Sequence, residues 1–564
     1  MTKYSIIIFL IFAFYAGNAF SQIIPSTSAG VIDRQIEQLY DAKKIEPEKE
    51  IPLLEVDVPE QQLKVSDGET VYVKKVVFEG NCEISSKTLN KCIRSHLDKN
   101  LSMKEINEIK DCVRCFYVKE GYFLARTYCP PQEIHAGVLK ICILEGKLGD
   151  ICVTENEYYK TSFIKGYFEK FIGKPLNYTS LMRALFLVNE NLKLEVGSVL
   201  KKGKKFGTVD LILQVKDKRP ITLYLDENNY GSLFTTKWRT GAKLEIGNCF
   251  TNGATLTTTQ VMGNPPHGLY FSLYEYKIPV TKNGTIVDLS YLYSRFKVRR
   301  VKELRLKGRS DIFSLGVTQA IYRTKTLDMD AFTSFDYKQI KNFSLGDMTS
   351  FDKLRVWTLG FYFDYIDLTK GRTYIDADMA VGIPGFLGGL HGKDTRCSRL
   401  GAGGEYVIWH FDGVRLQQVI SNHFIYCHLY GQVTGYKLPL AEQIYIGGMP
   451  TVRGYRLANA LGDKGYYLNI EYRMALPFIA EKTIPWVNKK WKEFFQILGF
   501  YDHGHVYLTG GQTYNQRSSM RLKSVGFGFR LYGPYNFNVT LDVGFPLIDR
   551  GEGTQTYFKI FWQI

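Results

Sequence analysis

Past its first two dozen residues, the sequence lacks any apolar run long enough to cross a membrane. No stretch of about 20 consecutive apolar residues follows residue 21 in the 564-residue chain, which excludes a helical span there. A Walker-type phosphate loop is also missing, and no Ser, His and Asp can be placed in a shared context. Nothing therefore points to nucleotide hydrolysis or nucleophilic catalysis. The chain is read as not an enzyme, and no cofactor is expected. Proline is modest at 18, and only three of the ten cysteines lie beyond residue 152.

Aromatics and glycine are abundant instead, with 38 Tyr, 36 Phe and 51 Gly. That mixture suits an all-β protein or a barrel with aromatic girdles. The net charge of +16 calls for acidic partners, either nucleic acid or anionic lipid headgroups. The N-terminus narrows the choice. Met1–Lys3 carries one positive charge, Tyr4–Ala16 is apolar, and Ala19-Phe20-Ser21 fits a small-x-small cleavage site before Gln22. Residues 1–21 thus read as a secretory signal, with a short membrane anchor as the alternative. Export argues against nucleic acid. The mature chain is then either soluble and exported or a β-barrel.

Seven cysteines, Cys82, Cys92, Cys112, Cys115, Cys129, Cys142 and Cys152, crowd one segment. An exported, cysteine-dense segment suggests disulfides, and an odd number leaves at least one thiol over. Cys112-Val-Arg-Cys115 has redox or zinc spacing, but it sits in an amphipathic helical pattern with no preceding strand. Structural thiols or disulfides are the favoured reading.

Residues 29–45 form a helical pattern through Val31, Ile32, Ile36 and Leu39 or Tyr40. Residues 46–68 are acidic, contain proline and have no period, so they read as a linker. From residue 70 the order is strand (TVYVKKVVFEGN), helix (ISSKTLNKCIRSHLDK, capped by Ser85 or Ser86), helix, strand, strand. The second helix opens with Ser102 and Glu105 at capping-box spacing and ends at Gly121. The same β-α-α-β-β order recurs from LGDICVTEN to FGTVDLILQVKD, an internal repeat.

After Pro220 the period changes to two. Trp357, Leu359, Phe361, Phe363 and Tyr365 share one face. So do Phe537, Val539, Leu541 and Val543, with Asn538, Thr540, Asp542 and Gly544 opposite. Val525, Phe527, Phe529 and Leu531 oppose Gly526, Gly528 and Arg530. Phe558, Ile560, Trp562 and Ile564 oppose Lys559 and Gln563. One apolar face and one small or polar face is the dyad signature of a transmembrane barrel with a wet interior. Residues 220–564 supply about 16 strands at roughly 21 residues per strand and connection.

A further stretch, VRGYRLANALGDKGYYLNIEYR, places Val452, Arg453, Gly454, Tyr455, Gly462, Asp463, Gly465 and Glu471 in a glycine-punctuated turn and the strand after it. Gly447, Gly448 and Gly454 permit positive φ, so the connection is able to fold back into a lumen. Arg453 is a permanently charged planar fork suited to a carboxylate. Phe500, Asp502 and Gly504 share one strand face, which makes Asp502 the natural partner if that face is luminal. At 4 Å such a pair attracts by about 4 kcal/mol at an effective dielectric of 20, before desolvation is subtracted. His503 and His505 alternate away from Asp502, so these three do not read as a metal site.

These two motifs resemble the VRG[YF]…GD.G…E and F-x-D-x-G signatures of the outer-membrane transporters of two-partner secretion, the haemolysin/haemagglutinin secretion-activation family of the outer-membrane insertase superfamily. The resemblance covers nearly all of the mature chain. It implies a plug helix (22–45), a linker (46–68), two POTRA, or polypeptide-transport-associated, modules (69–146 and 147–218) and a barrel (219–564) with an inward-folded loop around 447–465. The implied protein sits in the outer membrane with its modules in the periplasm. There it would capture an unfolded exported partner protein and conduct it to the surface without ATP, as a monomeric barrel contacting outer-membrane lipids and no nucleic acid. An outer-membrane assembly factor is the alternative; a passive solute porin would need neither modules nor plug. The chain departs from the family in ending on Ile564 where an aromatic is usual, and in its seven clustered cysteines.

Overall fold

The computed structural model describes residues 28–41, 52–57 and 70–564, apart from 135, 267, 300–301, 392–393, 486–489, 511–517, 550 and 552. The expected signal segment (1–21) lies outside these residues. So do both ends of the expected plug (22–27 and 42–45) and most of the expected linker. Two compact units divide the chain. Residues up to Lys49 group with the barrel residues from Ile221 onward, and Glu50–Pro220 with Arg323–Lys325 form the second.

The unit Glu50–Pro220 contains two modules of one topology. In the first, Lys75–Glu79 pairs parallel with Val138–Leu144, which pairs antiparallel with Arg126–Tyr128. In the second, Lys147–Thr154 pairs parallel with Thr208–Asp217, which pairs antiparallel with Leu194–Lys202. Each sheet buries one face under its helices. Ser85 caps the helix Ser86–Ile93 by accepting from the Thr88 N–H. At the start of Met103–Lys119, Ser102 Oγ accepts from the Glu105 N–H while the Glu105 carboxylate accepts from the Ser102 N–H at 2.7 Å. That helix buries Ile106, Ile109, Val113 and Tyr117 in the module core.

Three local features differ from the sequence reading. The first expected strand breaks at Lys74 into Thr70–Val73 and Lys75–Glu79, and the former pairs instead with Lys99–Ser102. The expected helix SFIKGYFEKFIG shrinks to Thr161–Lys165 and a 3-10 turn, Glu169–Phe171. Phe163 is buried within that short helix, Gly166 follows it, and Tyr167 and Phe168 are buried in turn geometry. Within the expected linker, Leu54–Asp57 is a strand, paired parallel with Leu194–Lys202 from Leu54↔Ser198 to Asp57↔Lys201. An open sheet edge offers unpaired N–H and C=O groups, and an extended segment satisfies them. Here the Ser198 N–H donates to the Leu53 carbonyl at 2.8 Å.

The other unit is a closed barrel of sixteen strands, from Ile221–Asn228 to Gln555–Gln563. First and last strands pair antiparallel, Tyr224↔Gln563 to Asn228↔Lys559. Closure leaves no strand edge facing lipid, the requirement for backbone in hydrocarbon. The period-two faces fall as expected. Trp357, Leu359, Phe361, Tyr365, Val525, Phe527, Phe537, Trp562 and Ile564 are exposed on the outer wall, while Arg530 and Asp542 are buried inside.

The helix Ala29–Asp41 lies in the lumen. Ala29, Ile32 and Ile36 join a core cluster with inward-facing Val261, Phe271, Leu292, Phe296, Ile340 and Val356. At about 1.5 Å per residue it is about 20 Å long. Its polar side is buried as well: Asp33 and Gln35 are 1% and 0% exposed.

Candidate functional site

Between the barrel strands His423–Val433 and Lys464–Ala475, the chain turns into the lumen. Ile444–Ile446 and Ala460–Gly462 pair antiparallel there as a short hairpin, Ile444↔Gly462 to Ile446↔Ala460. Its tip carries Val452–Tyr455. The Gly447 N–H donates to Thr451 Oγ1 at 2.8 Å, and the Gly448 N–H to the Val452 carbonyl at 3.1 Å. Both glycines have φ near +100° (105° and 97°), as does Gly454 at 90°, a region that side chains with a Cβ avoid.

The tip meets the wall through Arg453, which is 2% exposed. Its Nε and Nη2 donate to Asp502 Oδ2 and Oδ1, both at 2.8 Å, and its backbone N–H donates to Oδ2 at 3.0 Å. Nη1 donates to Glu471 Oε1 at 2.7 Å and lies 3.6 Å from Asp542 Oδ2. Glu471 is shared with Arg473 (Nε to Oε2, 2.8 Å), and Asp542 with Arg530 (Nη1 to Oδ1, 2.6 Å). Three guanidinium groups thus face three carboxylates, and a buried neutral network avoids the large cost of an unpaired charge. The Arg453 guanidinium carbon also lies 3.5 Å from the centroid of the Phe500 ring, a desolvated cation–π contact worth about 2 kcal/mol. Gly528 makes room for Asp542: a Cβ there would overlap the Asp542 carboxylate.

The remaining signature residues divide by role. Val452 packs with Ile446, Ala460, Tyr467 and Val506. Gly504 lies beneath it, where a Cβ would stand 2.9 Å from Val452 Cγ2. The Gly454 N–H donates to the Tyr557 hydroxyl at 3.1 Å, and that hydroxyl donates to the Tyr455 carbonyl at 2.8 Å. Tyr455 reaches the Lys523 carbonyl at 2.8 Å. Asp463 belongs to a separate cluster at the base of the loop. It accepts from Arg399, from the Leu438 and Thr509 N–H groups at 3.0 and 2.6 Å, and from Gln443 at 3.1 Å. Gly462 and Gly465 flank it against the backbone of the strand Phe495–Tyr507. His503 and His505 point to the opposite face of that strand from the buried Asp502.

The lumenal helix docks on this same loop. A Cβ on Gly30 would overlap that of Ala441. Val31 packs with Tyr445, Leu457 and Ala458. Arg34 donates to the Gln443 carbonyl and lies 3.9 Å from Glu442, which also accepts from Lys338 at 3.0 Å. Tyr445 donates to Gln38.

The sequence reading misses Arg473, Arg399 and the Gly30–Ala441 contact. It places Asp542 and Arg530 on inward faces but not in this cluster, because period does not say which inward residues meet a loop. All ten cysteines are thiols in the structure. Burial, then the neighbouring Cys92 and Cys115, raises the Cys112 thiol, the opposite of what a reactive thiolate needs.

The profile of haemolysin secretion/activation proteins ShlB/FhaC/HecB matches residues 207–531, more than half of the chain, and that of the ShlB-type POTRA domain matches 71–146. The chain belongs to the ShlB/FhaC/HecB family. As a member it is an outer-membrane β-barrel transporter of two-partner secretion with POTRA domains in the periplasm. It is 21% identical over 502 residues to the heme/hemopexin transporter protein HuxB of Haemophilus influenzae (strain 86-028NP), covering 86% of each chain. To the outer membrane transporter CdiB of Escherichia coli O6:K15:H31 it is 21% identical over 461 residues, covering 79% of this chain and 76% of CdiB. The solved structure of CdiB from Escherichia coli shares the fold of this ShlB/FhaC/HecB member at a TM-score of 0.78 and 18% identity, across 95% of this chain and 98% of that one. BamA from Haemophilus ducreyi lacking POTRA domains 1–3 shares it more distantly, at a TM-score of 0.51 and 12% identity, across 88% of this chain and all of that one.

Proposed function

We propose that this transporter takes up an unfolded exported partner protein with two periplasmic modules (69–146 and 147–218) and passes it through a monomeric barrel (219–564) to the surface without ATP. In this reading residues 22–45 are a plug, 46–68 a tether, and the loop around 447–465 a latch. The observation that supports it most is the packing of the lumen. The helix and the inward hairpin dock on each other, and the hairpin tip is held to the wall by one charge cluster around Arg453. A channel closed by parts that rest on one another opens when they move together. The partner would be held by strand addition to a module sheet or in the groove between helix and strand. No nucleotide is needed if folding of the emerging partner outside the cell biases its movement.

Planar-bilayer recording of a variant lacking residues 22–45 tests the plug. Conductance well above that of the full chain is expected. Unchanged conductance would overturn the plug and favour a passive pore.

A further inference from the structure

Residues 295–309, RFKVRRVKELRLKGR, hold eight Lys and Arg against a single Glu. No part of the secretion reading uses this basic stretch. It spans the end of the strand Thr285–Lys297, a connection, and the start of the strand Lys307–Arg323. The chain enters the barrel at Ile221, directly after the second module, and the strands alternate in direction. The connection after Lys297 therefore lies at the end away from that entry, the extracellular rim.

Period two decides which way these side chains face. Leu292, Ser294, Phe296 and Ser310 are buried on the inner face. Arg295, Lys297, Lys307 and Arg309 alternate with them and lie on the outer wall. Register brings them together, with Tyr270↔Arg295, Arg295↔Arg309 and Lys297↔Lys307 as cross-strand partners. Below them the outer face of Lys307–Arg323 carries exposed Phe313, Leu315, Val317 and Ile321. From Phe313 to Ile321, at about 3.4 Å per residue and a tilt of about 40°, that belt is about 21 Å tall, close to the roughly 25 Å apolar band of outer-membrane barrels. The cations therefore stand at the outer headgroup level.

A cleft of about 380 Å³ opens among Tyr270, Arg295, Lys297, Lys307 and Arg309. Arg309 is paired with Asp311 (Nε to Oδ2, 2.8 Å) and rests over the Tyr293 ring at 5.2 Å. Arg295 rests over the Tyr270 ring at 5.6 Å. Among the described residues Arg295, Lys297 and Lys307 have no carboxylate partner. Guanidinium and ammonium groups at headgroup depth, free of internal counter-ions, match phosphate oxygens.

We propose that this cleft binds the phosphorylated sugar headgroup of an outer-leaflet glycolipid. An acidic protein segment threading the lumen is a poorer match, because the basic side chains that line the cleft alternate with the inward-facing Phe296 and lie on the outer wall, above the apolar belt. The inference rests on the outer-membrane placement of the barrel and not on the latch or the plug, so either can fail without the other.

The test uses full-length protein in nanodiscs of zwitterionic phospholipid doped with bisphosphorylated lipid A, with its dephosphorylated form, or with phosphatidylglycerol. Retained lipid is counted by native mass spectrometry, and heat-modifiable gel mobility verifies that each barrel is folded. The wild type should retain bisphosphorylated lipid A in preference to the other two. Arg295→Gln/Lys297→Gln/Lys307→Gln should bind it about a hundredfold more weakly, at about fivefold per basic residue on an anionic surface. Equal retention by the triple variant overturns the site. So does indifference to the phosphates, or displacement of the lipid by millimolar inorganic phosphate, which would mark a site for the free ion. Retention unchanged but export of the partner lost would assign the patch to protein contact instead.

Discussion

Arg453 shows how one residue is held by several weak claims at once. It has three bonds to Asp502, two from the side chain and one from its backbone N–H, one to Glu471, a ring beneath it and a glycine-dependent turn around it. Removing one partner of a buried pair costs about 3–5 kcal/mol, because the other is left uncompensated. Arg453→Ala leaves Asp502, 0% exposed, and Glu471, 5% exposed, without it. Arg473 still serves Glu471, so Asp502 bears most of the loss. We expect Arg453→Ala to abolish export of the partner while the barrel still inserts and shows heat-modifiable mobility. Asp502→Asn should lose less, since Arg453 keeps Glu471 and an amide oxygen still accepts one bond. An assay of partner protein in the medium, with barrel content measured in the outer-membrane fraction, checks both. Wild-type export by both variants would reduce the cluster to a structural ornament of the turn.

At the scale of elements, the helix Ala29–Asp41 depends on a contact that only a glycine permits. Gly30 sits against Ala441 so closely that any Cβ must push the two apart. Gly30→Val should undock the helix from the loop even though valine remains compatible with a helix. Bilayer conductance is expected to rise toward that of the variant lacking residues 22–45. Conductance equal to wild type would show that the wall contacts of Ile32 and Ile36 hold the helix by themselves. In the first module, the Ser102–Glu105 box satisfies two helix-end N–H groups. Ser102→Ala should lower the stability of that module by about 1 kcal/mol, read as a shift in its urea midpoint with the barrel transition unchanged.

For the whole molecule, the question is whether one partner or many depend on it. Deleting the gene should remove one exported protein from the surface or medium and leave other outer-membrane barrels at normal abundance. Broad loss of barrels would instead make the chain an outer-membrane assembly factor. Quantitative proteomics of the outer-membrane and culture fractions distinguishes the two.

Local order and facing direction were written into the sequence, because both follow from short-range chemistry. Period two assigned Val525, Phe527 and Trp562 to lipid and Arg530 and Asp542 to the lumen. The repeated β-α-α-β-β order and the Ser102–Glu105 spacing identified the modules and a helix start. Arg453 and Asp502 could be paired from charge, glycine placement and period. Closure and contact between distant segments were decided only in three dimensions. Arg530 and Asp542 join the Arg453 cluster because sixteen strands curve into a ring, which brings residue 542 beside residue 453. Leu54–Asp57 became a strand because a sheet edge formed by Leu194–Lys202 was there to pair with it. Gly30 found Ala441, more than 400 residues away, because a lumen of this width holds a helix and a hairpin together. Periodicity reports which face a side chain takes; which face it meets depends on the register and curvature of the whole wall.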